Sequence, residues 1–298
     1  MEQFYSQQIK CPVSGSEDLE IMPGYEHDYL VKSKPLGFVF CSRIPSEQEL
    51  LVHYEKYNRN EYYSPVTRIR YRELLGEFEP FRKTNKILDM GCGTGFFLEE
   101  AKAKGWEVYG TELSESAIKI CETKGITMQK ISLSGGIFND GMFDVITSFE
   151  VVEHINNPLE MVKDIHKVSR KGGLVYLTTP NFNAVERYIL KNKYSIIEYP
   201  EHLVYFTAKT LNYLFTKNGF RAKKIKTTGI SFSRLKLTLT KDRNIENNEI
   251  FMSEKSTDEI IRNKTQSNIV FRILLKIANG LLDFFKVGNS LKAWFIKE

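Results

Sequence analysis

Residues 87–97 read ILDMGCGTGFF, and this stretch decides the fold. An apolar run carries an acid, Asp89, two residues before Gly91, and glycines recur at 93 and 95. The reading is a strand over KILDM, a glycine turn, and a helix over TGFFLEEAKAKG that ends at Gly105. Outward from it the alternation continues. WEVYGTE reads as a strand, and SESAIKICETKG as a helix capped by Ser114 and closed by Gly125. ITMQKI, FDVITSF and GGLVYLTT read as strands, with PLEMVKDIHKVSR a helix between the last two. Strands alternating with helices of this length predict an α/β fold, a parallel sheet covered on both faces.

In such a sheet the ligand sits beyond the carboxyl ends of the strands, at the switch point. A dinucleotide would place its pyrophosphate on the glycine turn. Asp89 would repel that group, and the spacing is G-x-G-x-G, not the dinucleotide G-x-G-x-x-G. A cation therefore fits the turn better. Glu112, at the end of the next strand, can accept both hydroxyls of an adenosine ribose. A ligand with adenosine at one end and ammonium and sulfonium near the glycines satisfies both acids. S-adenosylmethionine is such a ligand, and S-adenosylhomocysteine is its product.

ILDMGCGTGFFL, VYGTELSESAI, FDVITSFEVVEHINNP and GGLVYLTTPN together resemble the successive motifs of the class I S-adenosylmethionine-dependent methyltransferases, in order, across residues 86–220. The resemblance implies a Rossmann-like, doubly wound, seven-stranded, mostly parallel sheet with an antiparallel last strand. It maps Asp89, Gly91 and Gly93, with Cys92 and Gly95 in the same turn, onto the methionine end. Glu112 and Leu113 fall at the ribose and adenine, and Phe149, Glu150 and His154 beside the transferred methyl. Many relatives hold the adenine amine with an Asp after the third strand. Here KISLSG offers Ser132 at about that point, a weaker acceptor than a charged one.

Before the catalytic domain, CPVSGS and LVKSKPLGFVF resemble the N-terminal zinc ribbon of a sugar-modifying subgroup. The ligand positions fall on Cys11, Ser14, Ser33 and Leu36, so one thiolate remains where the ribbon needs four. The expected organisation is a degenerate, metal-free ribbon over 1–45, a helical linker or lid over 46–83, and a methyltransferase domain over 84–298. That domain carries a C-terminal helical insertion at about 240–286. Ser46, with Glu49 three residues on, marks the start of the linker helix.

In the sugar C-methyltransferases with the same ribbon, a Tyr-x-Glu-His group follows the fifth strand. The implied match is Tyr199, Glu201 and His202, with the carboxylate orienting an imidazole base. The alternative is that this trio only holds its loop. His154 reads first as a packing residue at a helix start, His166 as a surface helix residue, and His27 and His53 carry no motif.

Composition sets the remaining bounds. The 298 residues are 42% hydrophobic and 27% charged, with a formal charge of +5 spread along the chain. A nucleic-acid partner would need a concentrated basic stripe, so none is expected. No window of eighteen uncharged apolar residues exists. The nearest, NIVFRILLKIANGLLDFF, is broken by Arg272, Lys276 and Asp283, and could rest on a membrane surface through 268–286 or simply cover the sheet. Four scattered cysteines and no basic-then-apolar start predict reduced thiols and a cytoplasmic location. The expected function is methylation, at oxygen or carbon, of a small molecule, with a nucleotide-linked sugar or surface-glycan precursor favoured. A quinone-type O-methyltransferase and a non-catalytic methyltransferase-fold partner protein are the alternatives.

Overall fold

The structure, a computed structural model, describes residues 6–46, 49, 64–130, 138–194, 196–230 and 269–298. Strands β1 (Ser6–Gln7), β2 (Leu19–Ile21), β3 (Leu30–Ser33), β4 (Val39–Cys41) and β5 (Arg43–Ile44) come first. The large sheet follows with β6 (Lys86–Met90), β7 (Glu107–Thr111), β8 (Thr127–Gln129), β9 (Phe143–Phe149) and β10 (Ser169–Pro180). After β11 (Val204–Tyr205) come β12 (Phe220–Thr228) and β13 (Ser290–Lys297). The described α-helices are α1 (Pro65–Phe78), α2 (Phe96–Ala103), α3 (Glu115–Thr123), α4 (Pro158–Val168), α5 (Val185–Leu190), α6 (Ala208–Thr216) and α7 (Ile269–Phe285).

The large sheet has the order β12-β13-β10-β9-β6-β7-β8, mostly parallel with one antiparallel strand, as the sequence predicts. The order reverses direction at β6, between β7 and β9, so the carboxyl ends of β6 and β9 frame the switch-point crevice. Helix starts follow local chemistry. Ser64 caps α1 by accepting the Val66 amide at 3.3 Å, and Pro65 opens the helix. Asn157 caps α4 by accepting the Glu160 amide, with Pro158 following. Ser114 caps α3 as expected, accepting the Ala117 amide. The Ser46–Glu49 capping box forms in both directions: Ser46 N donates to Glu49 Oε2 at 2.9 Å, and Glu49 N donates to Ser46 Oγ at 3.2 Å.

Two compact units are present, and they interleave along the chain. One contains 59–179, 211–225 and 292–298. Its core gathers Leu75 and Phe78 of α1, Phe97 and Leu98 of α2, Ile87 and Val145 of the central strands, and Trp294 of β13. At the amino ends of its strands Asp144 is fully buried, and its Oδ2 accepts the Lys83, Thr84 and Asn85 amides at 2.7, 2.7 and 2.8 Å. Arg170 Nε donates to the other oxygen. Burial opposes ionisation of this carboxyl, but Arg170 and the three amides hold it below the ordinary carboxylate range.

The other unit contains 1–58, 180–210 and 226–291. Its four-stranded antiparallel sheet has the order β11-β4-β3-β2, with Val204 opposite Phe40 and Tyr205 opposite Val39. A core of Leu30, Val39, Cys41, Phe182, Tyr194 and Tyr205 sits beneath it. The two turns at the expected ligand positions share one backbone pattern. Gly15 N donates to Cys11 O at 2.8 Å and Gly37 N to Ser33 O at 2.7 Å, each glycine being left-handed. At the four ligand positions stand one thiol, two hydroxyls and an alkane. Ser33 and Leu36 are buried, and that donor set cannot close a tetrahedral zinc shell. Cys41 is buried and donates to the His202 carbonyl at 3.4 Å, and burial pushes its thiol up to about 12, as for a small core residue. Of the expected insertion at about 240–286, residues 240–268 lie outside the described residues and α7 takes up most of the rest; His53 and residues 50–63 of the expected linker also lie outside them.

Candidate functional site

The glycine turn joins β6 to α2. Gly91, Gly93 and Gly95 all have positive φ, at 64, 55 and 80°. A Cβ at Gly91 would strike Val151 Cγ2 at 2.6 Å, and one at Gly95 would strike Ile126 Cδ1 at 2.6 Å. Nothing lies within 4 Å of the corresponding point at Gly93, which faces open space. Four amides of this turn are already committed. Gly91 N donates to Thr111 Oγ1, Cys92 N to Thr111 O, Gly93 N to Glu112 Oε2 and Gly95 N to Cys92 O. A phosphate cradle needs such donors free and convergent, and these four are not free.

Two carboxylates end the adjacent strands β6 and β7. Asp89, 2% exposed, pairs in register with Gly110 and Thr147, and Thr147 Oγ1 donates to its Oδ1 at 2.7 Å. Burial pushes Asp89 up to about 7; the Thr147 bond works against this and the Glu112 charge adds to it. A carboxyl in that condition gains most from a cation. Glu112 is clamped from both sides: Oε2 accepts the Gly93 amide at 3.0 Å, and Oε1 accepts Leu113 and Ser114 amides at 2.8 and 3.1 Å. Oε1 is filled by its two amides, and Oε2 keeps a second lone pair for a ligand hydroxyl. Leu113 beside it is 76% exposed, an apolar side chain with one face for a ring.

Other expected residues fall in varied places. The Cys92 thiol turns away from the open side of the turn, packing against Cys121 Sγ at 4.0 Å and Met128 Sδ at 3.9 Å. Its hydrogen bond with Cys121, with burial, raises it well above the ordinary thiol range, so it offers no nucleophile. Phe149 sits in an aromatic group, 5.0 Å from Phe97, 5.5 Å from Tyr71 and 5.7 Å from Tyr176 between ring centroids. Glu150, exposed, has φ 52° and donates its amide to Thr178 O. His154 ends the short turn Val152–His154, half-buried. Ser132 lies outside the described residues.

Tyr199, Glu201 and His202 belong to the unit that holds the four-stranded sheet, on the loop that enters β11. His202 Nδ1 lies 2.6 Å from the Ile196 carbonyl oxygen. A carbonyl only accepts, so Nδ1 carries the proton and the neutral ring presents Nε2 as its basic nitrogen. The His202 amide also donates to Glu198 O at 2.9 Å, and its carbonyl accepts from Tyr205 Oη and Cys41 Sγ. The Tyr199 ring packs edge-on to Tyr29 at 5.0 Å, with the Arg43 guanidinium 5.3 Å from its centroid. Burial pushes the Tyr199 phenol up to about 12. Thr147 and the Ile196 carbonyl were missed from sequence. Thr147 is recognisable only once strand register is known, and a backbone carbonyl leaves no residue-type signal.

A family model described as "Methyltransferase domain" matches residues 56–224, more than half of the chain. Curated relatives include the ubiquinone biosynthesis O-methyltransferases of Pectobacterium atrosepticum, 27% identical over 139 residues, and of Thiobacillus denitrificans, 33% identical over 106 residues. These alignments cover 39% and 33% of this chain and 58% and 46% of the relatives, so the chain spans about half the length of the curated relatives it matches. Among solved structures, a SAM dependent methyltransferase from Archaeoglobus fulgidus shares the fold at 23% identity and a TM-score of 0.52, covering 85% of this chain and 100% of that one. With the glycine turn, its two flanking acids and the seven-stranded sheet in place, the chain belongs to the methyltransferase domain family and has the class I, Rossmann-like fold of its S-adenosylmethionine-dependent enzymes.

Proposed function

We propose that the protein moves a methyl group from S-adenosylmethionine to a small-molecule acceptor. The carrying observation is the pair of carboxylates ending β6 and β7 around a turn whose glycine amides are already bonded within the fold. The donor set fits that cosubstrate: Asp89 for a cation, Glu112 for ribose hydroxyls, Leu113 for an adenine face, and open space over Gly93. Asp89, Gly91, Gly93, Gly95, Glu112 and Leu113 would hold it, with Cys92 contributing backbone only. The bound sulfonium supplies an activated methyl group. Positioning accounts for much of a direct displacement of this kind. His202 Nε2 takes the proton that the acceptor oxygen or carbon loses, and the Ile196 carbonyl keeps that nitrogen the basic one. Tyr199 and Glu201 complete the group around His202, and His154 is the second candidate base.

The favoured acceptor is a nucleotide-linked sugar or glycan precursor. Support comes from the resemblance of CPVSGS and LVKSKPLGFVF to the ribbon of the sugar-modifying subgroup, in the same unit as His202. Quinone-type O-methylation is the second reading, favoured by what the curated relatives are called. Incubation with methyl-labelled S-adenosylmethionine and panels of sugar nucleotides and of catechols separates the two. Label transfer to neither panel, with no cosubstrate binding by calorimetry, would overturn the enzyme reading and leave a non-catalytic fold partner.

A further inference from the structure

Helix α7 presents its faces the opposite way round from an ordinary surface helix. Its polar side is turned inward: Asn279 Oδ1 accepts the Gly229 amide at 2.9 Å, and Asp283 Oδ1 accepts the Thr227 amide at 2.8 Å. The Leu282 carbonyl accepts the Thr227 hydroxyl at 2.8 Å. The apolar side is turned outward. Ile273, Ile277, Leu281 and Phe284, spaced four, four and three residues apart, form one stripe, and they are 53, 57, 57 and 78% exposed. Amphipathic helices of globular proteins bury that stripe. A contiguous exposed one marks a surface that meets something apolar.

The surrounding charge says what. In 182–194, 226–230 and 269–289 there are seven cations and two acids. Both acids are withdrawn: Glu186 is fully buried and Asp283 is held on the Thr227 amide. Lys191, Lys193, Lys226 and Lys276 are exposed. Exposed Tyr188 is tied to the same region, its hydroxyl donating to Asn183 Oδ1 while Asn183 Nδ2 donates to the Lys286 carbonyl. A second copy of the chain would bring like charges together. An anionic bilayer surface takes all of these groups: apolar side chains enter the acyl boundary, a tyrosine lies at its edge, and lysines stay at the phosphates. We propose that α7 rests the protein on an anionic lipid surface. Among the described residues no helix is long and apolar enough to cross a membrane, so the contact is in the interface plane. The proposal does not depend on which acceptor is methylated.

Cosedimentation of the full chain with vesicles tests it. Binding is expected to phosphatidylglycerol mixed with phosphatidylcholine, and about tenfold weaker binding to phosphatidylcholine alone. The double variant Ile277→Ser/Phe284→Ser should lose at least about tenfold in partitioning. Lys276→Glu should lose about fivefold or more, with added salt weakening the wild type. Both variants should melt at the wild-type temperature, because the replaced side chains are exposed. The proposal is overturned by no cosedimentation of the wild type with mixed vesicles, or by undiminished binding of the double variant. A lowered melting temperature in that variant would place the stripe inside the fold and overturn it. So would a concentration-dependent dimer, lost in the double variant, without vesicle binding.

Discussion

If Asp89 meets the cationic end of S-adenosylmethionine, affinity must depend on pH in a way its burial fixes. The unliganded carboxyl is raised from 3.8 to about 7. The native state therefore binds more protons than the unfolded one between those values, and stability falls as pH rises through that window. By pH 8 the buried charge costs about 4 kcal/mol. A bound cation relieves that cost and drives the proton off. About 9% of Asp89 is ionised at pH 6 and about 91% at pH 8, so affinity should rise about tenfold across those two units. Asp89→Asn keeps the shape and the Thr147 contact but removes the titration. It should flatten the profile, lose about 10–150-fold in affinity at pH 8, and raise the unliganded melting temperature at that pH. Calorimetry at several pH values, in two buffers of different ionisation enthalpy, counts the proton released at pH 6. A wild-type affinity independent of pH, or an Asp89→Asn profile as steep as the wild type's, would refute the assignment.

Three further outcomes are expected. His202→Ala should reduce turnover about 10²–10⁴-fold with cosubstrate affinity nearly unchanged, whereas a loop-holding role would lower the melting temperature and weaken acceptor binding together. Elemental analysis after dialysis against a chelator should find no zinc, given Ser14, Ser33 and Leu36 at the ligand positions; one zinc per chain would contradict that. Asp144→Ala strands Arg170 and three amides and should cost about 3–5 kcal/mol in denaturant unfolding. Because that carboxyl is held below its ordinary value, the gap from wild type should shrink as pH falls below about 3.8, and a pH-independent gap would count against the ionic account.

The α/β alternation was legible because each element of the sheet is local: an apolar run, a glycine or a cap, then a helical period. Asp89 and Glu112 were legible for the same reason, each standing at a strand's carboxyl end. What tertiary register creates was not. Thr147 meets Asp89 across fifty-eight residues of chain, and β11 joins a sheet whose other strands precede residue 42. A two-residue strand has no period to read. The apolar stripe of α7 was legible as a stripe. The direction it faces was not, because the hydrogen bonds of Asn279 and Asp283 to Gly229 and Thr227 decide it.

The pairing of Val204 with Phe40 has a consequence for how the chain is made. The strand Val39–Cys41 leaves the ribosome about 165 residues before its outer neighbour exists. At about 5–20 residues per second, that edge waits about 8–33 s, its amides and carbonyls open to any passing strand. Tyr205, Phe182 and Tyr194, which complete the core beneath it, arrive in the same late stretch. The four-stranded sheet thus begins early in the sequence but is among the last parts to close.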